Sequence, residues 1–238
     1  MKVCIVIPAY NAGRTLEQVF SRIPRGDYHR IIVVDDGSSD NTAEIAKKHG
    51  AELLRHERNR GYGGAQKTGY KRALELGADI TVLLHGDAQY APEEMPSLIR
   101  AAVDKKADIV LGSRVLGGRM LQGGMPLIRY LGNYLLTRIE NLALGTEISE
   151  FHTGYRVYTS KALKTLNFED YTDKFHFDSE ILIEAKEKDL KIIEIPISTT
   201  YAGERSYLNP LTYGIQVLLL VSRYRVIKAF GKKPKGEN

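Results

Sequence analysis

Short apolar, β-branched runs alternate with stretches of helical periodicity through the first half of the chain. Val3-Cys4-Ile5-Val6-Ile7 is apolar throughout and reads as a buried strand; Leu16, Val19, Phe20 and Ile23 then fall on one helical face. That helix is expected to open at Thr15, which forms a capping-box pattern with Gln18. Further strands are expected at 31–34, 52–55, 80–84 and 108–111. Helices are expected up to about Lys48, over 65–76, and from Pro92, where a proline and two acids occupy the first turn. Strands that are apolar on both faces and separated by helices predict an α/β fold, a mostly parallel sheet with helices on both faces. After Gly118 the rhythm changes to a long amphipathic stretch at 125–144, a strand-like segment at 151–158, a helix at 179–188, strands near 192–195 and 197–201, and a final helix at 211–230. No internal repeat or linker divides the body, so one domain is expected over 1–210, followed by a basic amphipathic segment over 211–238.

A chain of 238 residues, 43% hydrophobic and 26% charged, has enough apolar material to bury a sizeable core, which excludes disordered and collagen-like classes. Its one cysteine, Cys4, sits inside the first apolar run and excludes a disulfide scaffold. The N-terminal apolar run ends at Pro8, too early for a secretory core, so a reducing, cytoplasmic setting is expected. The net charge is +5, and it belongs to the C-terminal segment: Arg223, Arg225, Lys228, Lys232, Lys233 and Lys235 lie beyond Leu211 with a single acid, Glu237, while the preceding residues balance. A neutral body with one cationic end argues against nucleic acid as a partner and for a local contact with an anionic membrane surface. Arg223, Arg225 and Lys228 interrupt the 211–230 stretch, so it is expected to lie on a membrane rather than cross it.

In an open α/β sheet, ligands bind beyond the carboxyl ends of the strands. The residues just past four of the expected strands are Pro8-Ala9-Tyr10-Asn11, Asp35-Asp36, His85-Gly86-Asp87-Ala88-Gln89 and Gly112-Ser113-Arg114. Carboxylates, an amide, an imidazole and an arginine gathered at one edge suit a divalent cation that shares its oxygens with a diphosphate. Taken singly, Asp35 to Asp40 has the composition of a polar turn, and His85 that of a structural hydrogen-bonder. Gly61-Tyr62-Gly63-Gly64-Ala65-Gln66-Lys67-Thr68 lacks the glycine a phosphate loop needs at Gln66 and reads as a flexible entry to a helix, although Gly61 could still approach a ligand.

In this order and spacing, Pro8 to Asn11, Ile31 to Ser38, Asn59 to Gly61, Gly86 to Gln89, Gly112 to Arg114, Thr153 to Arg156 and Ile193 to Ile197 resemble the family 2 glycosyltransferases of GT-A fold, nearest to the polyprenyl-phosphate glycosyltransferases. The resemblance implies a hexose transferred, with inversion, from a nucleotide-diphospho-sugar such as GDP-mannose or UDP-glucose to a polyprenyl or dolichyl phosphate, or alternatively to a hydroxyl of a glycan or glycolipid. It implies that Pro8, Tyr10 and Asp36 hold the nucleoside with Asp35 in support. Asn11, Gly61 and, loosely mapped, Arg205 belong to the same donor site. Asp87 and Gln89 would bind Mg²⁺ or Mn²⁺, with His85 where the family has a further acid; imidazole is a poorer partner for Mg²⁺ and acceptable to Mn²⁺, so either metal stays open. Arg114 would face the diphosphate or, with Arg129 and Thr153, the acceptor. A hydroxyl acceptor would demand a general base, for which Glu150, Asp178 and Glu180 are the candidates; an ionised phosphate would not. The enzyme is expected to sit peripherally on the inner face of the membrane. Two other readings remain: a sugar-phosphate nucleotidyltransferase, disfavoured by the loop after the first strand, and a degenerate, membrane-docked binding module.

Overall fold

The computed structural model describes residues 1–26, 28–118, 120–121, 123–201 and 209–230. Strand β1 (Val3–Ala9) lies at the centre because nearly every one of its side chains is buried, odd-numbered and even-numbered residues entering two separate cores. Val3, Ile5 and Ile7 meet Leu16 and Val19 of helix α1 (Leu16–Arg22) and Met95 and Leu98 of helix α4 (Met95–Asp104). Cys4 and Val6 share the opposite core with Ala65, Tyr70 and Ala73 of helix α3 (Tyr62–Glu75) and Phe177 and Ile181 of helix α7 (Phe177–Glu187). Each such side chain contributes roughly 1.5–3 kcal/mol on burial, so a strand apolar on both faces is stable only between two helical layers.

Around β1 the sheet has the order β3-β2-β1-β4-β6-β5-β7, with β2 at Arg30–Asp35, β3 at Glu52–Arg55, β4 at Ile80–Leu83, β5 at Ile109–Ser113, β6 at Arg156–Thr159 and β7 at Ile192–Pro196. All pairings are parallel except those of β6, which runs antiparallel between β4 and β5. The carboxyl ends of β1, β2, β4 and β5 therefore share one edge with the amino end of β6. Helices α2 (Thr42–Lys48) and α6 (Ser160–Thr165) complete the body. Helix α5 (Leu127–Leu144) packs against the last helix, α8 (Pro210–Phe230), through Ala143, Val217 and Val221. Among the described residues no helix is long and apolar enough to cross a membrane.

Four local expectations are corrected. Thr15 precedes α1 but makes no capping bond; its hydroxyl donates to the Gly86 carbonyl at 2.6 Å and so ties the loop after β1 to the loop after β4. Glycines 63 and 64 are not a flexible entry. They form the first turn of α3, and a Cβ on Gly63 would lie 2.4 Å from the Thr172 carbonyl oxygen, so that position demands glycine for close approach. Of the expected 151–158 strand only Arg156–Thr159 pairs, because the Arg156 guanidinium takes the Phe151 and Thr153 carbonyls at 2.7 and 2.8 Å and curls the chain around itself. The 197–201 segment is likewise no strand; it keeps one bridge, Thr199 to Tyr90, and Glu94 accepts the Ser198 N–H at 3.0 Å.

Candidate active site

The loops at the carboxyl edge are knitted before any ligand enters. Asn11, in the left-handed region at φ 49°, donates its N–H to Ser38 Oγ and accepts the Ser39 N–H at its side-chain oxygen, both at 2.9 Å. Its amide thus joins the loops after β1 and β2. Asp35 is fully buried, accepts the Ser38 N–H at 2.9 Å and lies 3.2 Å from the Arg55 guanidinium. The Asp36 carboxylate accepts the N–H groups of Arg60 at 2.8 Å and Gly61 at 2.9 Å and meets His56 Nδ1 at 2.6 Å. These bonds fix the Asn59–Gly61 loop against the end of β2. Gly61 gives its N–H to Asp36, and its φ of 99° together with the Asp173 carbonyl, 2.5 Å from a notional Cβ, makes it a backbone requirement. Pro8 and Tyr10 sit at the end of β1, Tyr10 at the surface.

Beyond β4, His85 is clamped on several sides. Its Nε2 lies 2.9 Å from the Tyr62 hydroxyl, its ring meets Tyr62 and Tyr90 edge-on, and a Cβ on Gly154 would fall 2.0 Å from its Cε1. Gly154 can therefore only be glycine while the imidazole stays in place, and its N–H donates to the Tyr90 hydroxyl at 2.7 Å. Burial pushes the His85 pKa down to about 4; Asp178 opposes that shift and Arg114 and Arg156 add to it, so the ring is neutral at physiological pH. Its Nδ1 lies 3.9 Å from Asp87 Oδ2, and Asp87 Oδ1 accepts the Gln89 N–H at 3.1 Å.

No group of three His, Cys, Asp or Glu side chains is positioned to hold a metal among the described residues. The chain offers one carboxylate, one neutral imidazole and the Gln89 amide, a donor set too small to cage an ion. It fits a cation that takes its remaining oxygens from a diphosphate and water. Neutral imidazole is also the protonation state in which histidine ligates metals.

Arg114 and Glu150 meet each other at this edge. Arg114 is buried; its Nε donates to Glu150 Oε1 at 2.6 Å, its backbone N–H to Glu150 Oε2 at 2.8 Å, Nη1 to the Tyr201 hydroxyl at 2.7 Å and Nη2 to the His152 carbonyl at 3.1 Å, with a further Nη2 contact to Glu150. These bonds hold the guanidinium in place and tie the loops of Glu150, His152 and Tyr201 together. Burial alone would raise the Glu150 pKa, but Arg114 and Asn133 outweigh it and hold the carboxyl below the usual range. Asp178 accepts the Tyr62 hydroxyl at 2.8 Å and lies 3.7 Å from Arg156. Glu180, whose pKa burial raises, accepts the Thr172 N–H at 2.7 Å and braces a neighbouring loop. Thr153 is buried and donates to the Gly112 carbonyl at 2.6 Å. Arg129 is exposed on α5. Arg205 lies outside the described residues. His56, Tyr62, Tyr90 and Tyr201 went unassigned, since nothing in their local spacing marks them; only the three-dimensional crossing of loops brings them to the edge.

The description "Glycosyl transferase family 2" matches residues 4–166. The chain is 35% identical over 216 residues to the UDP-N-acetylglucosamine–dolichyl-phosphate N-acetylglucosaminyltransferase of Methanococcus voltae, a match covering 84% of this chain and 86% of the relative. It is 30% identical to the undecaprenyl-phosphate mannosyltransferase of Micrococcus luteus, covering 83% of each. Among solved structures, glucosyl-3-phosphoglycerate synthase from Mycobacterium tuberculosis shares the fold, with a TM-score of 0.72 at 18% identity over 94% of this chain and 80% of that one.

The buried pair predicts how Glu150→Gln behaves. Removing the charge leaves Arg114 uncompensated and should cost about 3–5 kcal/mol of unfolding free energy. Because the folded Glu150 pKa is lowered, its contribution is present above the ordinary value of 4.5 and lost as pH falls through the folded value. Urea titrations between neutral pH and pH 3 should therefore show a gap between wild type and variant that narrows as pH falls; a variant as stable as wild type at neutral pH would contradict the assignment.

Proposed function

The chain belongs to glycosyltransferase family 2, and on that footing we propose that it moves a hexose from a nucleotide-diphospho-sugar of the GDP-mannose or UDP-glucose type to a polyprenyl or dolichyl phosphate. The observation that carries the acceptor is the state of the three carboxylates a hydroxyl acceptor would call upon. Glu150 is paired with Arg114, Asp178 accepts the Tyr62 hydroxyl beside Arg156, and Glu180 accepts the Thr172 N–H at one oxygen. A hydroxyl must lose its proton during attack, whereas a phosphate monoester, with a second pKa of about 6, arrives already ionised. The names of the two relatives, both of which contain a lipid phosphate, support the same reading.

In the proposed reaction a phosphate oxygen forms a bond to the anomeric carbon from the face opposite the leaving group. The bond from that carbon to the donor diphosphate breaks with its electron pair, and no proton changes place. Asp87, His85 and Gln89 would hold a divalent cation, which when bound neutralises charge gathering on the diphosphate. Pro8 and Tyr10 flank the donor at the end of β1, while Asp36 and Asn11 keep the neighbouring loops in a fixed shape, so that most of the catalytic effect comes from positioning.

Purified protein offered a panel of labelled nucleotide sugars with Mn²⁺ or Mg²⁺ and a polyprenyl phosphate should transfer label to the lipid phase with one donor. Asp87→Ala should lower that transfer by about 10²-fold or more, the scale on which loss of a single electrostatic stabiliser acts, with the fold intact by circular dichroism. Label released only to water, or full transfer by Asp87→Ala, would contradict the proposal.

A lipid acceptor has to be met at a surface, and the α5–α8 pair offers one. Leu127, Ile128, Leu131, Leu135 and Leu142 of α5 are exposed beside Ile215, Leu219 and Phe230 of α8, with Arg129, Arg138, Arg223, Arg225 and Lys228 interspersed. Apolar area rimmed by cations fits an anionic bilayer, each basic residue adding about 1 kcal/mol near the surface. Truncation at Leu211 is a poor test, because it would strip Val217 and Val221 from the core they share with Ala143. The exposed changes Ile128→Glu and Leu135→Glu should instead abolish co-sedimentation with phosphatidylglycerol vesicles while leaving the fold intact; retained co-sedimentation would sink this part of the reading.

A further inference from the structure

Tyr62 has one hydroxyl proton and two neighbours that could take it. Asp178 Oδ2, at 2.8 Å, is a carboxylate oxygen and can only accept, whereas His85 Nε2, at 2.9 Å, belongs to a ring that can either donate or accept. With the proton on the Asp178 side, the phenol oxygen must accept from His85, which places the imidazole proton on Nε2. Asp178 is itself held, 3.7 Å from Arg156 and reached by the Gln66 amide at 3.4 Å. Nδ1 has no hydrogen-bond partner among the described residues and lies 3.9 Å from Asp87 Oδ2, too far to share a proton. That separation is short enough for one cation with contacts of about 2.1 Å to touch both atoms.

We propose that Arg156, Asp178 and Tyr62 act as a positioning chain that keeps the proton of His85 on Nε2, presents the Nδ1 lone pair beside Asp87, and so tunes the site toward Mn²⁺ over Mg²⁺. The inference deepens the reading of the cation site given above and rests on it. Its logic is that of outer-shell partners in general: the hydrogen bond made by one ring nitrogen selects the nitrogen left to ligate. A nitrogen donor is disfavoured by Mg²⁺, which prefers an all-oxygen octahedron, and accepted by transition ions. The surroundings fit a fixed ring. Gly154 leaves room for the imidazole on one side, and Tyr62 stacks on Phe175 with centroids 5.2 Å apart, so the hydroxyl can be removed without removing the packing.

Nitrogen-15 spectra of histidine-labelled, metal-free protein should show His85 protonated at Nε2; protonation at Nδ1 overturns the proposal. Pulsed electron paramagnetic resonance of the full chain with Mn²⁺ alone should show one imidazole nitrogen coupled to the ion, and His85→Ala should remove that coupling; Mn²⁺ bound without it also overturns the proposal. Tyr62→Phe should weaken Mn²⁺ about tenfold and Mg²⁺ by less than about twofold, as loss of an outer-shell partner implies for a nitrogen ligand and not for oxygens. Asp87→Ala separates the two levels of the argument. If Mn²⁺ binding survives Asp87→Ala, or wild type binds no Mn²⁺, the cation site itself is wrong and the positioning chain falls with it. If Asp87→Ala abolishes binding while Tyr62→Phe leaves both affinity and coupling unchanged, the site stands and only the positioning chain fails.

Discussion

Arg156 is fully buried, and a guanidinium cut off from water must find its partners within the protein. It takes the carbonyls of Phe151, Thr153 and Asp178 and lies beside the Asp178 carboxylate. Much of the edge follows from that requirement. The 151–155 segment bends around the guanidinium instead of extending β6, which brings Gly154 under the His85 ring. Asp178, held at the head of α7, receives the Tyr62 hydroxyl, and Tyr62 in turn meets His85. Arg114 repeats the pattern with Glu150, His152 and Tyr201. Both arginines are strongly stabilised in their charged forms despite burial, because each has a carboxylate beside it.

Several acids at this edge build its frame. Asp35, Asp36, Glu150 and Asp178 are spent on backbone N–H groups, a histidine, a tyrosine and the arginines. Asp87 lies on the loop after β4, where its neighbours are His85 and the backbone N–H of Gln89. On the proposed reading, this edge takes a cation and a donor, and the acceptor brings its own negative charge.

The sheet was legible in the sequence because its strands are buried on both faces: the unbroken apolar runs at Val3 to Ile7 and Ile31 to Val34 admit few other readings, and Glu52–Arg55 falls where expected. The carboxyl-edge rule puts Asp87, His85 and Arg114 just past β4 and β5, where the structure has them. What it could not supply is who pays the desolvation cost of each charge, since Glu150 and Arg114 are 36 residues apart and Tyr62 and Asp178 are 116 apart. Asp36, Glu150, Asp178 and Thr153 stand out as site residues in one dimension, and in three each also bonds to the frame around the edge. Thr15 and Gln18 failed for a related reason, a long-range bond to the Gly86 carbonyl displacing a local cap. The α5–α8 surface was legible in its outline, the basic C-terminal end from the charge pattern and 125–144 from its amphipathic period; which of its apolar side chains stay exposed showed only with the partner helix in place.

The central claim is that the acceptor supplies an oxygen that is already ionised. It is tested most directly by comparing a polyprenyl phosphate with the corresponding free polyprenol as acceptors for the same labelled donor, cation and protein. The account predicts transfer to the phosphate alone, with a rate that falls below about pH 6 as the phosphate gains its second proton. Comparable transfer to the free alcohol would mean that a general base operates at this edge, and would contradict the assignment of Glu150, Asp178 and Glu180 to the framework.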